Sequence, residues 1–166
     1  MEIRLADIKD LDKVIEFYIE VSSNKNNKAR WHYGLYPTDE DINNAINSKE
    51  LYILLEDNKI ISAAILRMQE DEIYKDTNWN NNNPAVVHLL ATSFSKQHQG
   101  YGKKLLQYLI KIAKTHNKES IHLDIVFDND DARKLYESLG FVCIENKKLY
   151  YPDTGLMYSS LFELLI

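Results

Sequence analysis

The stretch that most constrains this sequence begins at Ala85. From there to Thr92 the residues are almost continuously apolar, and five positions later comes the loop Gln97-His98-Gln99-Gly100-Tyr101-Gly102. A short apolar run of this kind reads as a strand covered on both faces. After the loop, Leu105, Leu106, Leu109, Ile110 and Ala113 recur at helical spacing, predicting a helix from Lys103 to about Asn117. A second apolar run, Ile121 to Phe127, follows. The order strand, crossover helix, strand places the two runs parallel in one sheet, because such crossovers are right-handed.

The remainder of the chain supplies elements to flank that unit. Glu2 to Leu5 has a strand pattern, and Asp7 is a good helix N-cap, with Leu11, Val14, Ile15, Tyr18 and Ile19 on one helical face. Ser22 to Arg30 lacks apolar periodicity and reads as a loop running into Trp31, His32, Tyr33 and Tyr36. Thr38, with Asp41 at the capping-box position, opens a second helix through about Asn47. Leu51–Glu56 and Ile60–Arg67 flank the turn Asp57-Asn58-Lys59, a hairpin pattern. Glu70 to Pro84 is acidic and asparagine-rich, and is expected to be a mobile excursion that buries little. Asp130 to Ser138 predicts a short helix closed by Gly140, and Phe141–Ile144 and Met157–Leu164 predict late strands.

Composition bounds what such a chain can do. Its 166 residues, 45% hydrophobic and 27% charged, suffice for one core, so a single domain over residues 1–166 is expected. Twenty Lys and Arg against 25 Asp and Glu leave a formal charge of -5, without the basic excess a phosphate backbone demands, so nucleic acid is not expected as a partner. The lone Cys143 excludes an internal disulfide. No run approaches the roughly 18 apolar residues of a membrane span, and the start lacks a secretory pattern, so no membrane association and a cytoplasmic location are expected.

A strand that ends in a glycine loop and opens a helix presents unpaired backbone N–H groups and the positive end of the helix dipole to one point. That point suits an anion. Gly100 and Gly102 permit close backbone approach, and Lys103 and Lys104 add positive charge. The loop lacks the third glycine of the dinucleotide fingerprint and the Gly-Lys-Ser/Thr ending of the nucleotide loop, so neither of those ligands is supported.

The residues Gln97, Gly100 and Gly102 match the Gln/Arg-x-x-Gly-x-Gly/Ala signature, and Asn129, Ala132, Tyr136, Gly140 and Phe141 match a second pattern in order and spacing. In these two motifs the chain resembles the GCN5-related N-acetyltransferase (GNAT) superfamily, specifically from about Ala85 to Phe141. The resemblance implies an α/β (α+β) fold: a central mixed, twisted sheet of six to seven strands with about four helices, its fourth and fifth strands parallel and splayed. It implies acetyl-CoA as co-substrate, and since no spacing among the histidines suggests a metal site, no metal is expected. The pantetheine arm would lie along Leu90, Ala91 and Thr92, and the pyrophosphate on the N–H groups of Gln97, His98, Gln99, Gly100, Tyr101, Gly102 and Lys103, with Asn129 reaching in from across the cleft.

Direct attack by an amine on a thioester needs a proton acceptor on one side and a proton donor on the other. Tyr136 matches the family's general acid, and His88 stands where arylalkylamine-type members carry a histidine linked to proton removal. Packing against the sheet is the alternative for Tyr136, and a hydrogen-bonded core position the alternative for His88. The acceptor pocket is expected from Trp31, Tyr33 and Tyr36, whose rings could equally pin their loop to the domain. The resulting expectation is acetyl transfer to a primary amine of a small molecule, by a ternary complex, in a protein that could be a homodimer. Two other readings fit the same motifs: a non-catalytic acyl-CoA sensor, and a protein lysine or N-terminal acetyltransferase. The last needs an open groove where the aromatic loop falls.

Overall fold

The computed structural model describes residues 1–166. Seven strands, β1 (Glu2–Leu5), β2 (Leu51–Glu56), β3 (Lys59–Arg67), β4 (Pro84–Thr92), β5 (Ser120–Val126), β6 (Val142–Tyr151) and β7 (Gly155–Leu165), form one sheet in the order β1-β2-β3-β4-β5-β7-β6. Four helices accompany them: α1 (Leu11–Ser23), α2 (Asp39–Asn47), α3 (Tyr101–Thr115) and α4 (Asp130–Glu137). Only β4 and β5 pair in parallel, and α3 is the crossover between them. This is the mixed sheet and parallel pair expected from the sequence.

Alternation along the strands divides the core between the two faces of the sheet. Tyr52, Leu54, Ala64 and Leu66 pack with Leu105, Leu106 and Leu109 of α3. Leu51, Ile53, Ala63 and Ile65 pack with Val14, Phe17 and Tyr18 of α1 and with Ile42 and Ile46 of α2. Capping boxes start the N-terminal helices: Asp7 and Asp10 cap a short 3-10 turn before α1, and Thr38 and Asp41 cap α2.

Strand β4 breaks the alternation. Ala85 and Val87 face α3, but Leu89 and Ala91 face α1, although all four are odd-numbered. The inversion follows from a bulge: Ile65 pairs with His88 and Ala63 with Ala91, so an extra residue sits in β4. Leu89 absorbs it at φ +52°, a left-handed conformation that leucine avoids. The buried Tyr18 hydroxyl donates to the Leu89 carbonyl at 2.8 Å. Parallel pairing with β5 covers only Pro84–Ser120, Ala85–Ile121 and Val86–His122, and beyond it the two strands part.

Three sequence expectations need correction. Helix α3 starts at Tyr101 and not Lys103, because Gly100 at φ +84° forms its N-cap. Strand β6 runs on to Tyr151, through Glu145-Asn146-Lys147-Lys148, because it is an edge strand with one solvated face. The excursion Glu70–Pro84 buries more than its composition suggests. Tyr74 is 1% exposed, and Trp79 stacks on the buried His122 with centroids 3.8 Å apart. Asn80 and Asn81 donate backbone N–H groups to the Glu163 carboxylate at 3.1 and 3.0 Å. His122 lies between Glu70 at 2.7 Å and Glu163 at 3.1 Å, so two apolar anchors and an ionic clamp hold an otherwise polar segment.

The Tyr18 hydrogen bond yields a direct test. Tyr18→Phe removes the donor and leaves the strained Leu89 carbonyl short of a buried partner, so unfolding free energy from urea titration should fall by about 1–2 kcal/mol.

Candidate active site

The gap between β4 and β5 opens into a cleft of about 720 Å³. Its walls include Leu90, Ala91 and Thr92 of β4, Gln97, His98 and Gly100 of the loop, Tyr101, Gly102 and Lys103 of α3, and Asn129 and Tyr136 across the gap. The N–H of Ser93 bonds to Ile61 of β3, so by alternation the N–H groups of Leu90 and Thr92 point the other way, into the gap. An unpaired strand edge inside a cleft can hold an extended, amide-bearing chain.

The glycine loop is built for close approach. A Cβ added to Gly102 would lie 3.0 Å from the Thr92 hydroxyl, so the start of α3 sits directly on the end of β4. Gln97 donates its side-chain amide to the Thr92 carbonyl at 3.2 Å, fixing the loop to the strand. Tyr101 donates to Glu56 at 2.8 Å, and Lys96 pairs with the same carboxylate at 2.5 Å. These contacts leave the first-turn N–H groups of α3 directed at the cleft. Gln99 departs from expectation: its amide donates to the Ser95 carbonyl at 3.0 Å, and it is not among the cleft walls. Lys104, counted with Lys103 from the sequence, turns toward Met1.

Beyond the cleft, on the side of the loop between α1 and α2, lies a smaller cavity of about 110 Å³. Ala29, Trp31, Leu90, Asn129, Ala132 and Tyr136 belong to both spaces. A group passing from one to the other does so at these side chains. Tyr136 is 6% exposed and packs against Phe141 and Phe162. Burial, reinforced by the negative charge of Asp124, pushes its phenol well up, so it carries its proton at neutral pH. Asn129 caps α4 with its carbonyl oxygen, which accepts from Ala132 N–H at 3.3 Å, and its amide N–H groups are left for the cleft.

The small cavity also collects His88, Asp124, Tyr36 and Tyr151. His88 Nε2 lies 3.0 Å from Asp71 Oδ2, off the line of a hydrogen bond, so the contact is an ion pair when the imidazole is charged. Of the aromatic residues expected here, Trp31 and Tyr36 are present. Tyr33 is not, because its hydroxyl is drawn to Asp39 at the start of α2, 2.7 Å away. Asp124 was not among the candidates read from the sequence. Its carboxylate accepts from Tyr74 at 2.5 Å and from Tyr151, and burial together with this charge pushes both phenols up. A lone aspartate within Ile-His-Leu-Asp-Ile-Val of an otherwise buried strand was the available signal, since burying such a charge is expensive unless donors meet it. No group of three or more His, Cys, Asp or Glu side chains is placed to hold a metal ion, and no helix is long and apolar enough to cross a membrane.

With this geometry in place, similarity to known proteins decides the family. The sequence pattern of the Acetyltransferase (GNAT) family matches residues 12–141. The chain belongs to that family. A ribosomal protein bS18-alanine N-acetyltransferase of Haemophilus ducreyi is 35% identical over 97 residues, covering 58% of this chain and 59% of that protein. The Escherichia coli K12 protein of the same name is 30% identical over 113 residues, covering 66% and 68%. The crystal structure of the ribosomal-protein-S18-alanine N-acetyltransferase from E. coli shares the fold, with a TM-score of 0.71 at 23% identity over 99% of this chain and 93% of that one. A GNAT-family acetyltransferase from Streptococcus agalactiae gives 0.77 at 20% identity, over 99% and 95%. These relatives overturn the small-molecule amine expected from the sequence, because the acceptor in the curated names is an alanine of a ribosomal protein. The aromatic loop that suggested a small closed pocket instead forms one wall of a passage between two cavities.

The Asp71–His88 pair yields a pH prediction. Asp71 is held down at about 2, against an ordinary 3.8, chiefly by the His88 imidazole, with burial opposing and the Ile73 N–H assisting. A depressed carboxyl contributes stability above its unfolded pKa and loses it as pH falls through the folded value. In His88→Ala the carboxyl should titrate closer to 3.8. The stability gap between wild type and variant, followed by urea unfolding, should therefore be present at pH 5 and close toward pH 2.

Proposed function

We propose that this protein transfers an acetyl group from acetyl-CoA to the N-terminal amine of a protein. The observation that carries the reading is the junction at Tyr136, where a cleft lined by the glycine loop meets a cavity that holds a carboxylate and an imidazole. The donor fits the residues present. The first turn of α3, seated on β4 at Gly102, lines the cleft and offers its N–H groups to a phosphate, and the open edge at Leu90 and Thr92 suits the pantetheine amides. When bound, acetyl-CoA supplies a thioester as the activated acyl group.

The chain's own groups divide the remaining work. Asp124 draws the ammonium end of the acceptor into the small cavity, between the rings of Tyr36 and Trp31. An α-amino group has an ordinary pKa of about 7.7–8.0, so a sizeable fraction is neutral near pH 7 and a modest base completes the deprotonation. His88 faces the same cavity from β4 and takes that proton. The backbone N–H of Leu90, beside the bulge, is positioned to receive the charge that develops on the carbonyl oxygen. Tyr136, on the opposite side, donates its proton to the departing sulfur as the C–S bond breaks, and the second proton that the nitrogen sheds on becoming an amide returns through solvent to the phenolate. The names of the relatives support a protein acceptor, and a ribosomal acceptor in those relatives supports a cytoplasmic reaction here.

The test is acetyl transfer from acetyl-CoA to three peptides, one with a free N-terminal alanine, one N-terminally blocked with an internal lysine, and one blocked without lysine. Mass spectrometry should show one acetyl group, on the α-amine of the first alone. Modification of the lysine peptide instead, or of none, overturns the reading. For Tyr136→Phe, kcat should fall by about 10²-fold with acetyl-CoA affinity by calorimetry little changed.

A further inference from the structure

The segment between α1 and α2 crosses the mouth of the large cleft and is tied to its far wall by ionic contacts. Lys28 Nζ lies 2.7 Å from Asp131 Oδ2 at the start of α4, and Arg30 Nη2 lies 2.5 Å from Asp128 Oδ2. The backbone N–H of His32 donates to Asp153 at 3.0 Å. Arg30 adopts φ +59°, a strained value for arginine, and Asn27 holds the turn by donating to the Ser22 and Trp31 carbonyls at 3.3 and 3.0 Å. The segment is a strap with a defined path.

Its two ion pairs differ in what they face. Lys28 and Asp131 both line the cleft, whereas Arg30 and Asp128 do not. His98 of the glycine loop lines the same cleft, so Lys28, Asp131 and His98 mark its walls from strap to loop. A carboxylate in that position would repel a diphosphate, and Lys28 neutralises it. Their side chains are 54% and 45% exposed, so the pairing is weak and screened, and the lysine stem is free to reorient.

We infer that Lys28 is a donor-binding residue that works by exchange, leaving Asp131 to pair with the pyrophosphate of acetyl-CoA from the wall opposite the glycine-loop N–H groups. Arg30 and Asp128 keep the strap seated while Lys28 changes partner. The exchange gives the diphosphate a charge-assisted contact from the strap side, opposite Lys103 and the N–H groups of the helix start. It rests on the acetyl-CoA reading of the cleft.

Calorimetric affinities of wild type, Lys28→Ala and Asp131→Asn for CoA and for dephospho-CoA, which keeps the pyrophosphate but lacks the 3′-phosphate, test this. Lys28→Ala should weaken both ligands by about 10-fold. Asp131→Asn, which removes the competing carboxylate, should tighten both by about 3-fold. If the pair served only to hold the strap in shape, Asp131→Asn would weaken binding as Lys28→Ala does, and that result overturns the exchange. A loss in Lys28→Ala confined to CoA assigns the lysine to the 3′-phosphate and overturns the pyrophosphate contact. Wild-type binding of CoA with unchanged affinity in Lys28→Ala overturns this inference alone. Absence of wild-type binding overturns the donor reading and removes the inference with it.

Discussion

The left-handed turn at Leu89 is the constraint on which the rest of the site depends. A leucine at φ +52° costs about 1–3 kcal/mol, and it persists because an extra residue must be absorbed between the pairings at His88 and Ala91. The Tyr18 hydroxyl from α1 secures the carbonyl that this turn would otherwise leave unpaired. The inversion delivers Leu89 and Ala91 to the α1 side of the core and turns Leu90 and Thr92 toward the cleft. Pairing of β4 with β5 ends at Val86, and the bulge from His88 to Ala91 lies on the stretch beyond, where the two strands part. The gap, the exposed strand edge and the seat for α3 follow from that parting.

The second organising feature is the treatment of buried charge. Asp124 is met by the hydroxyls of Tyr74 and Tyr151, which arrive from the Glu70–Pro84 excursion and from β6. Glu163 is met by Asn80, Asn81 and His122. Both networks join the excursion to the β5–β7 half of the sheet, so the segment expected to bury little holds the small cavity's carboxylate in place. Asp71, in the same segment, meets His88 on β4. The excursion thus links β4 with β5 and β7 through Asp71, Tyr74, Asn80 and Asn81.

Much of the fold was legible because its signals are local. The capping residues Thr38 and Asp41, the hairpin turn after Glu56, and the apolar spacing of Leu105, Leu106 and Leu109 each report on neighbours within a few residues. The edge strand β6 was not legible beyond Ile144, since one solvated face replaces apolar alternation with Glu145, Lys147 and Lys148. Tyr33 was assigned to the site from its place in the aromatic loop and is drawn off by Asp39, while Gln99, expected there through its backbone N–H, turns its side chain to the Ser95 carbonyl.

By itself the sequence determined the family and the glycine loop at the head of α3. A glycine loop between a buried strand and a helix, with Asn129 and Tyr136 at a set distance, is a pattern that short-range backbone geometry imposes. Only the tertiary structure decided what stands opposite that loop. Asp124, Lys28 and Tyr151 come from three separate segments and reach the two cavities only through long-range contacts, Asp124 with Tyr74 and Tyr151 and Lys28 with Asp131, with no sequence spacing to announce them. The physical reason is that a backbone cradle is written in one stretch of chain, whereas a carboxylate is made tolerable in a buried cavity by hydroxyl donors that folding brings from a distance.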